Sequence, residues 1–216
     1  MSKKYILDSD QQKQLEEGKL LPLMEEFYTI QGEGQNSGKP AYFVRVGGCD
    51  VGCYWCDVKE SWNAKLHPPT ATDLIIENIL ANPSKSVVVT GGEPMNYNFD
   101  YFCKTLKSKE ITLFLETSGS SKLSGNWDWI CLSPKKNKKP LAEFFQKAHE
   151  LKVIISSEDD FEWAEKNAAQ VNDKCVLYLQ PEWSKVGIMM QTIVDYALEN
   201  PKWKISIQSH KYMHIP

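Results

Sequence analysis

The 216-residue chain carries 25 Lys and Arg against 28 Asp and Glu, a formal net charge of −3 at pH 7, so no field strong enough to draw nucleic acid is implied. Its length suits one well-packed domain and is short for two, and 42% hydrophobic with 25% charged residues is ordinary for a soluble globular protein. No apolar run reaches the roughly 18 residues of a membrane span, and the opening Met1-Ser2-Lys3-Lys4 lacks a secretory signal's apolar stretch; a cytoplasmic location is the default expectation.

In chain order, residues 1–20 are polar and read as a peripheral extension, at most a loosely attached helix, before a single domain over 21–216. Residues 41–46 read as a strand, and 72–80 as a helix with Leu74, Ile75, Ile79 and Leu80 on its apolar face. Residues 87–89 form a short buried strand that ends at Gly91-Gly92. A helix over 99–107 follows, then strands over 111–115 and 129–132. Pro140 marks the start of a helix running to 150. A strand at 153–155 precedes a helix over 161–169, which Glu158-Asp159-Asp160 opens favourably toward its dipole. A strand at 175–179, a helix at 188–198 closed by Asn200-Pro201, and a strand at 204–207 complete the chain. Short apolar strands alternating with helices predict a parallel sheet in an α/β architecture. Periodicity leaves open whether that sheet is doubly wound or a partial barrel.

Six of the seven predicted strands end in unusual chemistry. Cys49 follows the first; Gly91-Gly92-Glu93-Pro94, Glu116-Thr117, Ser133-Pro134-Lys135, Gln180-Pro181-Glu182 and Gln208-Ser209-His210 follow the others, the strand at 153–155 excepted. Parallel-sheet enzymes build their sites at the carboxyl edge, where these loops would converge. The lysines at 135, 136, 138 and 139 read mainly as a solvated charged loop, with Lys135 itself near the site.

Of six cysteines, three fall within eight residues, while Cys103, Cys131 and Cys175 lie in apolar segments and read as core positions. This is not the dense pattern of a small disulfide scaffold. Cys49, Cys53 and Cys56 have C-x₃-C-x₂-C spacing, so three thiolates on one loop can hold three irons of a 4Fe–4S cubane and leave the fourth without a protein ligand. A structural zinc site wants four ligands, and His67 is the one histidine close by.

With Trp55 before the last cysteine and Gly91-Gly92-Glu93-Pro94 after the next strand, the triplet resembles the radical S-adenosylmethionine superfamily. There the open iron is chelated by the cofactor's methionine moiety, and a glycine-rich strand end accepts its amine. A finer resemblance spans nearly the whole chain. Glu25-Glu26-Phe27-Tyr28-Thr29-Ile30-Gln31-Gly32-Glu33-Gly34, Arg45, the triplet and Gln208-Ser209-His210-Lys211 together are similar to the 7-carboxy-7-deazaguanine synthase (QueE) family of the queuosine and deazapurine pathway, which serves tRNA modification. The resemblance implies an incomplete parallel β/α barrel, a homodimer and an electron donor such as flavodoxin or ferredoxin. The implied reaction takes 6-carboxy-5,6,7,8-tetrahydropterin to 7-carboxy-7-deazaguanine, with ring contraction and loss of ammonia, as a carbon–nitrogen lyase.

Roles follow from the same resemblance. Ile30, Gln31, Gly32 and Glu33 line the pterin, Arg45 pairs with its carboxylate, Thr90 touches it, and His210 stands nearby. The terminal carboxylate of Pro216 reaches it too. Gly92 and Glu93 serve the cofactor's methionine end and Glu116 with Ser118 its ribose region. Ser133, Pro134 and Lys135 form a second cofactor contact, and Gln180, Pro181, Glu182 and Trp183 a third around the adenine. One position departs from the family pattern: Cys56-Asp57-Val58 puts valine where a threonine hydroxyl is usual beside magnesium. Val58 offers no side-chain oxygen to a hard cation, and strand-like alternation points Asp57 away from Val58. Two other readings remain: a radical enzyme that activates a partner protein by making a glycyl radical, and a zinc-bound adaptor without catalysis.

Overall fold

The structure, a computed structural model, describes residues 4–216. Asp8 starts the first helix, α1 (Ser9–Glu16), with a capping box: its carboxylate accepts from the Gln11 backbone N–H at 2.8 Å, and the Gln11 side chain accepts from the Asp8 N–H at 3.2 Å. No α1 residue is buried, so the cap rather than packing defines this helix. The chain then enters β1 (Leu20–Ile30), an eleven-residue strand that the sequence pattern did not separate from the polar N-terminus. Pro22, Glu25 and Glu26 interrupt its apolar run. Proline is tolerated there because β1 is near an edge: it pairs antiparallel with β2 (Pro40–Val46) along its length, but with β3 (Pro69–Ala71) only over Leu20–Pro22.

Helices and strands then alternate as α2 (Thr72–Leu80), β4 (Ser86–Gly91), α3 (Asp100–Lys107), β5 (Thr112–Thr117), β6 (Trp129–Leu132), α4 (Ala142–Lys147), β7 (Glu150–Ile155), α5 (Asp159–Ala168), β8 (Val176–Pro181), α6 (Val186–Glu199), β9 (Trp203–Ile205) and α7 (Ser209–Met213). They form one sheet in the order β3-β1-β2-β4-β5-β6-β7-β8-β9, parallel from β2 to β9. β3 and β9 end the order unpaired with each other, so the sheet is an incomplete barrel. The expected parallel sheet of a partial barrel is present from β2 to β9, with an antiparallel β3-β1-β2 edge added to it.

Alternation along the strands separates two faces. Val44, Val46, Val87, Val89, Leu113, Leu115, Leu151, Val153 and Ile155 are fully buried in the same core as Ile75, Ile79, Phe102, Leu106, Phe144, Ala164 and Ile193 of the helices. Fully burying such a side chain contributes about 1.5–3 kcal/mol. The intervening positions, Phe43 and Arg45 on β2, Glu116 on β5, Lys152 and Ile154 on β7 and Gln180 on β8, line the concave side. Cys103 and Cys131 are buried and Cys175 packs against the core, as expected of structural thiols.

Two boundaries move for physical reasons. α4 stops at Lys147 because Ala148 is extended (φ −62°, ψ 132°) and the chain turns into β7 at Glu150. The last strand stops at Ile205, and the residues after it build α7.

Candidate active site

The carboxyl ends of the parallel strands open onto one cleft of about 280 Å³, where ligands of such sheets bind. Cys49, Cys53 and Cys56 stand on its wall after β2, with Gly92 and Glu93 after β4. Glu116 and Ser118 come from the end of β5, Ser133 and Lys135 follow β6, and Gln180, Pro181, Glu182 and Trp183 come from β8 and the turn beyond it. Ile30, Gln31, Gly32, Glu33, Arg45, Thr90, His210 and Pro216 line the same cleft. Of the residues assigned from sequence, Pro134 alone lies behind the wall, buried between Ser133 and Lys135.

The cysteine loop is held by its backbone. Cys49 N donates to Trp62 O at 3.0 Å, Cys56 N to Cys53 O at 3.0 Å, and Asn137 Nδ2 to Gly52 O at 3.0 Å. Burial raises the Cys49 and Cys53 thiol pKa values, and the neighbouring thiols add to it. Among the described residues no three Cys, His, Asp or Glu side chains converge on a point that one ion could occupy. A zinc site requires such convergence; three thiolates serving three different irons do not. The donor set therefore fits a cubane.

Gly91 and Gly92 have a steric reason. Gly91 has φ +141°, and a Cβ on it would stand 2.2 Å from Val46 O; one on Gly92 would stand 2.3 Å from Gly48 O. Neither position admits a side chain, because the start of the cysteine loop lies directly against the end of β4: Gly92 N donates to Val46 O and Glu93 N to Gly48 O, at 2.9 and 2.8 Å. Glu93 itself is 1% exposed. Its Oε1 accepts from Met95 N (3.0 Å) and Thr117 Oγ1 (2.5 Å), and its Oε2 from the Ser118 N–H (2.8 Å) and hydroxyl. With four bonds inside the protein, this carboxylate ties the β4 loop to the β5 end.

The floor of the cleft is ionic. Lys152 Nζ donates to Glu33 Oε2 at 2.6 Å and to Glu116 Oε2 at 2.9 Å. Gln31 Nε2 donates to Glu116 Oε1 at 3.3 Å, and Gln31 Oε1 accepts from Glu33 N at 3.1 Å. Gln208 Nε2 adds a 2.8 Å bond to Glu33 Oε1. Burial pushes the Glu33 carboxyl up, but the Lys152 charge and the bonds from Lys152, Gln208 and Gln180 outweigh it and hold it at about 2. Burial pushes His210 down from its ordinary value, which leaves its imidazole neutral. Gly32 lets that ring pack close, since a Cβ there would fall 2.2 Å from Nδ1.

Arg45 lines the cleft while its Nε donates to Glu25 Oε1 at 2.6 Å. Asp57 also faces the cleft, next to Val58 and not away from it: the loop here is irregular, so strand alternation did not apply. Lys211 of α7 pairs with Asp57 Oδ2 at 3.0 Å and stands 4.9 Å over the Trp183 ring. One Asp57 oxygen beside Val58 is thus engaged by an ammonium group and Val58 itself offers none, so the side chains here are a poor fit for a magnesium ion. The lysine loop is corrected as well. Lys135 Nζ donates to Ser133 O and Oγ at 2.6 Å, Lys136 pairs with Asp160, and Lys138 with Asp50; three of the four act inward or as ties.

Sequence reasoning missed Phe27, Phe43, Lys152 and Ile154 on the wall. The signal for Lys152 was period-2 alternation in Glu150-Leu151-Lys152-Val153-Ile154, a strand with one apolar and one mixed face.

The Radical SAM superfamily model matches residues 43–132. The chain is 56% identical over 211 residues to the 7-carboxy-7-deazaguanine synthase of Flavobacterium psychrophilum, covering 98% of this chain and 100% of that one. It is 47% identical over 195 residues to the synthase of the same name from Synechocystis sp., covering 90% and 93%. The crystal structure of QueE from Escherichia coli superposes with a TM-score of 0.78 at 26% identity, over 94% of this chain and 99% of that one.

Proposed function

Because the chain belongs to the 7-carboxy-7-deazaguanine synthase family of radical S-adenosylmethionine enzymes, we propose that it converts 6-carboxy-5,6,7,8-tetrahydropterin to 7-carboxy-7-deazaguanine, with Cys49, Cys53 and Cys56 holding the 4Fe–4S cluster. The observation that carries the assignment of residues is that these cysteines and every residue given to the substrate line one cleft. Relatives sharing one activity name across the full chain favour this over a glycyl-radical activase or a zinc adaptor.

When bound, the cluster and S-adenosylmethionine supply one-electron reduction of the sulfonium and the carbon radical that takes a hydrogen from the substrate. The chain's own residues bind and shield. The ionised Glu33 accepts N–H groups from the pterin's guanidine-like edge, and Arg45 offers a planar fork to the substrate carboxylate. Thr90 and Pro216 share that wall. Gly92, Glu116, Ser118, Ser133, Lys135 and residues 180–183 would hold the cofactor. Phe27, Phe43 and Trp55 give the cleft apolar surface, which keeps water from the reacting atoms. No step is assigned to magnesium.

Residues 21–216 act as one catalytic unit with 1–20 as an extension. The protein works in the cytoplasm as a homodimer, reduced by a flavodoxin or ferredoxin; no helix among the described residues is long and apolar enough to cross a membrane. Anaerobic incubation with reductant, S-adenosylmethionine and the tetrahydropterin yields the deazaguanine acid. No product from protein with an intact cluster would end the assignment.

A further inference from the structure

Lys152 is the most buried basic side chain of the cleft, at 4% exposure, and it projects from the middle of β7 at an inward position. A lone ammonium there would be costly. Its two carboxylate partners come from elements far apart in sequence: Glu33 from the loop after β1, Glu116 from β5. Gln31 closes the set into a ring, because it donates to Glu116 and accepts from the Glu33 backbone. Three structural units thereby meet at one nitrogen.

The groups facing this nitrogen leave it without a substitute. Cys131 from β6 is pushed well above the usual thiol range by burial and stays neutral, and burial raises Glu150, two residues back on β7. His210 from α7 is pushed down and stays neutral; Lys135, after β6, is pushed down by burial and donates to Ser133 instead. Among the described residues, Lys152 is the cation in hydrogen-bond contact with Glu33 and Glu116.

We propose that Lys152 is a positioning residue for the pterin: by bridging Glu33 to Glu116 it keeps the Glu33 carboxylate charged and fixed at the cleft floor, where it accepts the N–H donors of the substrate edge. The inference rests on the substrate reading above. Lys152 acts as a fixed charge and not as a proton donor. Burial alone would lower its pKa, but the carboxylates around it, Glu116, Glu33 and Glu150, drive it well above the ordinary lysine value, so its proton stays on through the neutral assay range. Without it, Glu33 keeps only the bonds from Gln208 and Gln180 against the upward push of burial, so its pKa rises. Substrate binding then needs a carboxylate that protonates as pH falls, so affinity is lost on the acidic side and kept on the alkaline side.

The test compares Lys152→Met, Lys152→Gln and Lys152→Arg as reconstituted holoenzymes, with folding checked by thermal denaturation. Lys152→Met raises the KM for the tetrahydropterin about 100-fold or more and gives kcat/KM an acidic limb that the wild type lacks. Lys152→Arg keeps the charge, restores the flat profile and recovers most of the affinity. Lys152→Gln, which retains a donor but no charge, shows the same limb and replaces the methionine variant if that one folds poorly. Cluster content, read as visible absorbance, stays at the wild-type level in all three, since their cysteine loop is unaltered. A wild-type KM or a flat profile in the neutral variants each overturns the proposal. Failure of the substrate reading looks different: the wild type itself would cleave the cofactor and make no deazaguanine acid.

Discussion

The mouth and the floor of the cleft are built on opposite plans. At the mouth, three thiols come from eight consecutive residues on a loop held by backbone bonds, and the thiols are only half-buried. The floor is assembled from side chains 119 and 36 positions apart, and Lys152 is nearly sealed from solvent. The mouth needs only to present ligands, because its chemistry arrives with the cluster. The floor must hold like charges together with protein groups alone, in a medium where an unpaired charge is costly. Local spacing suffices for the first task, and tertiary pairing is required for the second.

The largest expected effect separates these plans. Cys53→Ala removes one iron ligand, so visible absorbance collapses and product formation falls by about 10³-fold or more, while thermal stability of the apoprotein changes by less than about 1 kcal/mol. A large loss of apoprotein stability would show that the thiols also hold the loop. Glu93→Ala tests the hinge between the two regions. It strips the acceptors from Met95, Thr117 and Ser118, and buried donors left unsatisfied cost about 1–3 kcal/mol each. Denaturant unfolding should show a loss of about 2–4 kcal/mol, with partial cluster incorporation remaining. A variant as stable as wild type would remove Glu93 from its structural role.

How much was legible follows from the same contrast. The C-x₃-C-x₂-C spacing and the chemistry at the strand ends were visible because each sits in a few adjacent residues, and the structure gathers all of them but Pro94, Pro134 and Ser209 on one wall. β1 was hidden because Pro22, Glu25 and Glu26 break the apolar pattern that marks a strand, and an edge position permits them. Lys152 was hidden because Glu150 and Lys152 made the start of β7 look like the polar end of a helix. No sequence-local cue pairs it with Glu33, 119 residues away. The ties of Lys136 and Lys138 were hidden for the same reason: their partners, Asp160 and Asp50, lie in α5 and in the cysteine loop.

Arg45 sits between the two plans, on β2 with a local partner, Glu25, in the adjacent strand. Arg45→Lys keeps the charge but loses the planar fork, so the KM for the tetrahydropterin rises about tenfold with kcat nearly unchanged. Glu25→Gln leaves the fork in place and should cost less than about threefold. If Glu25→Gln costs more than Arg45→Lys, the ion pair and not substrate recognition is the purpose of Arg45.

The smallest expected effect concerns metal. Val58 lines the cleft beside the last cysteine and contributes no oxygen, and the adjacent Asp57 carboxylate is already paired with Lys211 at 3.0 Å. A small divalent ion demanding oxygen ligands would have to displace an ammonium that also stacks over Trp183. Activity in divalent-depleted buffer should therefore stay within about twofold of activity with added magnesium. Lys211→Ala frees Asp57, so any magnesium stimulation should appear in that variant and not in the wild type. Strong stimulation of the wild type would mean that substrate and water oxygens suffice to hold the ion, and that the mouth of the cleft, like the cluster it carries, takes its metal chemistry from what it binds.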